Sequence, residues 1–280
     1  MIIPLIAATL SAITIILEKY ILSYQKVDYK TFNVLIFFFL FLISLLFFPK
    51  FGWLNSNAGT PYFIFIGILM VATAASWNVL FARALEHEKI IEFEIIQMFQ
   101  PLLTILLGSL IFATERSIYI LPFAFIASIA LIASRIKKHH LSFDKFSKIL
   151  LLAVFLMAIE MVFIKILLAV YSPVALYCLR TFLVFLVLVI FFRPKFAGLN
   201  YKKILIMAGT AFLAVIQMVL IYASVGSEGL VFTTLVLILT PILIFIFSII
   251  FYHEKFSFRT LLLYLIIIGC IVAVSFFEKR

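Results

Sequence analysis

Long apolar runs separated by short polar punctuation set the pattern of this chain. They lie at Ile3–Leu22, Phe32–Phe48, Tyr62–Leu85, Ile90–Phe112 and Ile118–Ser134, then at Ile149–Val170, Val174–Phe192, Ile204–Ala223, Leu230–Phe251 and Thr260–Phe277. A helix needs roughly 17–25 apolar residues to cross about 30 Å of hydrocarbon, so each run predicts one crossing. The runs do not alternate in polarity as barrel strands would. Stretches such as "PKFGWLNSNAGTP", "RIKKHHLSFDK" and "RPKFAGLNYKK" mark the turns between them. The expected fold is an all-α polytopic membrane protein with ten transmembrane helices.

The polar landmarks repeat. "FFPKFGWLN" (Phe47–Asn55) closes the second run, and "FFRPKFAGLN" (Phe191–Asn200) closes the seventh. Lys19 and Lys165 lie near the ends of runs one and six. Pro101 precedes Glu115 by fourteen residues, and Pro241 precedes Glu254 by thirteen. The offset between copies drifts from 146 to 139 residues, as small loop deletions would produce. The chain therefore divides into a first five-helix repeat (1–134), a basic connecting loop (135–148) and a second five-helix repeat (149–280). Five crossings per copy force the second copy to enter the membrane from the opposite side. Inverted repeats of this kind are a secondary-transporter construction, in which each half can take the other's conformation.

Composition supports a lipid solvent. Apolar residues make up 66% of the 280, charged residues only 12%, and mean hydropathy is +1.30. A soluble domain carries about twice that share of charge. The net charge of +10 sits in short loops and fits anionic headgroups rather than nucleic acid. Four Lys and Arg fall on the side of the two termini and fifteen on the other, which by the positive-inside rule puts both termini outside. Cys178 and Cys270 both fall within spans, so no disulfide framework is implied.

Two five-helix halves, the paired Pro-to-Glu landmarks and the paired lysines together resemble the drug/metabolite transporter superfamily, and within it the EamA-type members. The resemblance implies an exporter or exchanger working by alternating access, with a cavity lined by spans one, three, four, six, eight and nine. It also implies cytoplasmic termini, against the charge count. The expected location is a prokaryotic inner (cell) membrane, the expected partners are a small-molecule substrate and membrane lipids, and the expected state is a monomer or homodimer. No cofactor or metal is expected.

A charged side chain inside hydrocarbon costs at least about 2.5–3.5 kcal/mol, so the retained ones are functional candidates. Glu160 lies near the middle of span six, with Lys165 after it and Arg180 early in span seven. They read as a charged cavity wall, with Glu160 taking a proton or a substrate amine, or else as a buried pair holding helices together. Glu18 and Lys19 end span one and either gate the pathway or reach toward the interface. Glu94, Gln97 and Pro101 share one face of span four at i, i+3, i+7. Trp77 and Asn78 in span three, and Gln217 and Tyr222 in span eight, supply aromatic and amide groups at mid-membrane depth. Such clusters suit cationic or amphipathic solutes, although single amides also tie helices together. Pro101 and Pro241 are candidate helix breaks. Glu115 and Glu254 are expected to cap the next helix and pair with Arg116 and Lys255.

Enzyme chemistry is not expected. Only Asp28 and Asp144 could serve as clustered aspartates and they are far apart, while all four histidines lie near loops. The solutes expected are small polar metabolites, amino-acid-like or amine-bearing; a multidrug or lipid-linked substrate is the alternative.

Overall fold

The computed structural model describes residues 2–87, 96–116, 120–135, 145–192, 194, 199–252 and 258–277. In chain order the helices are α1 (Ile2–Lys19, running on into a wider π turn, Tyr20–Tyr24), α2 (Tyr29–Phe51), α3 (Pro61–His87) and α4 (Phe99–Ile111). Then come α5 (Ile120–Arg135), α6 (Lys145–Leu167), α7 (Pro173–Phe191) and α8 (Tyr201–Ser227). The last three are α9 (Leu230–Leu237), α10 (Leu239–Tyr252) and α11 (Phe258–Phe277). Among the described residues six helices are long and apolar enough to cross a membrane, and four shorter apolar helical stretches accompany them. No named strand occurs among the described residues; one isolated bridge joins Leu54 to Tyr171.

Local chemistry sets where these helices start. Asp28, Ser172 and Asn200 each stand at an N-cap and accept the backbone N–H of Thr31, Ala175 and Lys203, respectively. Pro173 follows Ser172 at the first helical position, where a missing N–H is harmless. The expected ninth span is two helices, because the chain turns at Ile238. Pro241 has no N–H for the carbonyl four residues back and its ring crowds that carbonyl, so the helix breaks just ahead of it. Span four breaks in the same way: a turn at Met98 lies three residues before Pro101.

The closest packed pairs are α3 with α6, α1 with α8, α2 with α7, and α5 with α11. Exchanging each span for the one five later turns the first pair into the second and leaves the other two unchanged. The turns follow the same exchange. The stretch after α2 packs on the turn before α7: Asn55 donates its N–H to Val170 O at 2.9 Å, and Ser172 to Trp53 O at 3.1 Å. Phe192, in the stretch after α7, meets Tyr29 edge-on at 6.4 Å, at the start of α2.

Two cores result. One gathers side chains chiefly of α1, α2, α3, α6, α7 and α8, the other chiefly of α4, α5, α9, α10 and α11. Large apolar side chains such as Leu46, Ile190 and Phe191 are more than three-quarters exposed, as lipid-facing positions must be.

Candidate functional site

A cavity of about 230 Å³ lies between the helices, lined from α1, α2, α3, α4, α6, α7, α8, α9 and α10. Spans two and seven thus join the six expected from the resemblance. Asn33 and Phe37 come from α2, and Tyr177 and Arg180 from α7.

Glu160 is the centre of the wall's polar network. Arg180 grips it with two bonds, Nε to Oε1 at 2.5 Å and Nη2 to Oε2 at 3.2 Å. Trp77 donates its indole N–H to Oε2 as well. Glu160 and Arg180 are each 3% exposed, so both charges are almost wholly out of solvent. The guanidinium carbon also lies 5.9 Å from the ring centroids of Phe37 and Trp77. Of the two bases weighed for Glu160, Arg180 is the partner and Lys165 is not. Five helical residues separate Glu160 from Lys165, a rotation of about 140°, which sends the two side chains to different faces.

Lys165 joins a second cluster instead. Its Nζ donates to Val225 O at 2.8 Å and lies 3.4 Å from Oε1 of Glu115. Glu115 accepts the backbone N–H groups of Leu230 and Val231 at 2.8 and 3.1 Å, so it caps the N-terminus of α9. This corrects the expectation that Glu115 caps the helix following it, since the helix it caps begins 115 residues further along the chain. Gly229 makes this possible. Its φ of +96° is in the left-handed region, and a Cβ there would sit 2.8 Å from a Glu115 carboxylate oxygen. On α6, α8 and α9 the cavity wall ends at Ile164, Ile221 and Thr234. Lys165, Val225 and Leu230 lie just beyond those residues, so the cluster covers one end of the cavity.

The remaining candidates separate. Gln217 lines the cavity and donates to Ser11 Oγ at 3.1 Å, tying α8 to α1. Asn78 lines it while bonding back to Ala74 O of its own helix. Gln97, Pro101 and Pro241 are on the wall, as is half-buried Glu18. Lys19 is not on the wall, and neither is Tyr222, which is fully buried behind Tyr177 with the rings edge-on at 5.7 Å. Glu94 lies outside the described residues, as do Glu254, Lys255, His139, His140 and His253. The proline breaks open onto the cavity: Gln97 and Leu237, whose carbonyls lose a helical bond to Pro101 and Pro241, both line it. Residues missed by the sequence reading include Ser11, Thr14 and Asn33, single small polar groups that stand out only once the helix faces are known.

Residues 147–276 match the family model of the EamA-like transporter family, part of the drug/metabolite transporter superfamily. The match takes in a little under half of the chain and implies a membrane transporter of the drug/metabolite type. With its long apolar helices, the chain is an integral multi-pass membrane protein. A solved structure described as a crystal structure of a protein is 12% identical, with 98% of each chain covered and a TM-score of 0.71. At that identity the likeness concerns the fold alone. No curated protein matches the sequence.

Proposed function

We propose that the protein is a secondary transporter, an exporter or exchanger, that moves small polar solutes, amine-bearing or amino-acid-like, by alternating access. The observation that carries this reading is the cavity itself. It lies where spans of both halves meet, its wall holds a buried ion pair, and one end is covered by a contact reaching from Glu115 of the first half to α9 of the second.

Ten spans in two inverted halves, divided at residues 135–148, accommodate the packing pairs and the paired turns. The hinges in this reading are Pro101 and Pro241, each supplying a break where the other half's broken span faces the same cavity. Rocking about these breaks would release the Glu115 contact, and Lys19, the repeat-related partner of Lys165, is the candidate for closing the other end. The charge count puts the Glu115 end outside, in a prokaryotic cell membrane. Glu160 and Arg180 form the polar floor of the pathway.

The size of the cavity favours a metabolite over the multidrug or lipid-linked alternative, because sites for drug-sized ligands run from about 300 to 1,000 Å³. The test is counterflow in proteoliposomes with labelled amino acids and small amines. Saturable exchange of at least one solute, lost on Glu160→Leu, is expected; equal flux in empty liposomes would remove the reading.

A further inference from the structure

The acidic and basic side chains on the cavity wall are not matched in number. Among the described residues lining it, the acidic and basic side chains are Glu18, Glu160 and Arg180, two acids against one base. Arg180 is spent on Glu160 through two bonds, with Trp77 holding the same carboxylate. An anionic solute seeking Arg180 would have to displace a carboxylate already held bidentately in a site of low dielectric.

Glu18 is the remaining acid. Its carboxylate has no hydrogen-bond or ion-pair partner among the described residues, yet it stands on the cavity wall that Tyr177 also lines. Ser11, Thr14 and Glu18 follow one another at i, i+3, i+7, so they form one polar stripe of α1 facing the cavity. Their hydroxyls are engaged: Ser11 accepts from Gln217, and Thr14 donates to Leu10 O at 2.8 Å. The stripe thus offers one uncompensated carboxylate. Around it the wall is largely apolar and aromatic, with Phe32, Phe37 and Phe81. Ring faces add attraction for a cation and none for an anion.

We propose that Glu18 is the specificity-determining residue of the cavity, and that the solute it selects is a small organic monocation with an apolar body. Anions are excluded and zwitterions disfavoured, because the carboxylate of a zwitterion meets Glu18 with no unengaged base among the described lining residues to receive it. The inference rests on the transporter reading above and narrows its substrate class.

Three probes with the same ring and different charge test it: phenethylamine, phenylalanine and 3-phenylpropionate. Their binding to the purified full-length protein in detergent is measured by calorimetry at neutral pH. Phenethylamine is expected to bind about tenfold or more tightly than phenylalanine, with no binding of 3-phenylpropionate. Glu18→Gln should weaken phenethylamine by about tenfold or more, and Glu18→Asp, which keeps the charge, should retain part of the affinity. Thermal unfolding of both variants checks that each is folded. The proposal is overturned if the zwitterion or the anion binds as well as the amine, if none of the three binds, or if Glu18→Gln leaves phenethylamine affinity unchanged. Counterflow with the same probes keeps the two readings apart. Phenylalanine exchange that ignores Glu18→Gln would sink this inference and leave transport standing. Glu18-dependent amine binding without any flux would do the reverse.

Discussion

Glu160 and Glu115 are both carboxylates held by a cation and by N–H donors, and they are built for opposite ends. Glu160 sits at mid-helix between α3, α6 and α7, with both charges 3% exposed and every partner a side chain on an unbroken helix. Glu115 stands past the end of α4 and binds the first turn of an eight-residue helix, beside a lysine 22% exposed. The first arrangement has no easy exchange with water, so opening it leaves buried charge. The second can trade its helix N–H groups and its lysine for water at modest loss. In the proposed transport cycle, the first fixes the cavity wall while the second closes an end reversibly.

The largest effect should come from breaking the central pair. Glu160→Leu strands Arg180 and should lower stability by about 3–5 kcal/mol, whereas Glu160→Leu with Arg180→Leu should recover most of it. Thermal unfolding of the purified protein reads both. If the single variant is as stable as the parent, the contrast with Glu115 disappears.

Gly229→Ala should rank next. It places a methyl where the Glu115 carboxylate sits and holds a left-handed φ that only glycine takes freely, for about 1–3 kcal/mol in all. Glu115→Gln should be milder, near the upper range of about 2 kcal/mol for a carboxylate at a helix N-terminus. Its signature is functional, a faster exchange of solute from the Glu115 face. Gln217→Ala should be smallest, close to the average of about 0.6 kcal/mol for hydrogen bonds between membrane helices. A loss larger than that of Glu115→Gln would show that the α1–α8 tie matters more than the end cluster.

Much of this architecture was legible in the chain. Run lengths located most of the described helices to within a few residues, since hydrocarbon thickness leaves little freedom, although the start of the fourth run lies outside the described residues, and Pro241 marked the break that divides α9 from α10. Which charges meet was less legible. The choice of Arg180 over Lys165 depends on helix rotation, and five residues of spacing already argue against Lys165. The Glu115 contact carried no local signal, because its acceptor role is completed by backbone N–H groups that every helix start possesses. Tyr222 has a suitable depth but the wrong face, which periodicity in a uniformly apolar helix does not reveal.

The central claim is that one cavity opens alternately to the two sides, with Glu115 closing one of them. Asn78→Cys, in a chain with Cys178 and Cys270 replaced by alanine, places a thiol on the cavity wall. Labelling by a membrane-impermeant maleimide in right-side-out and inverted vesicles should occur from both faces, and Glu115→Gln should raise the labelling from the face that carries Glu115. Labelling from a single face, unchanged by Glu115→Gln, would contradict the account.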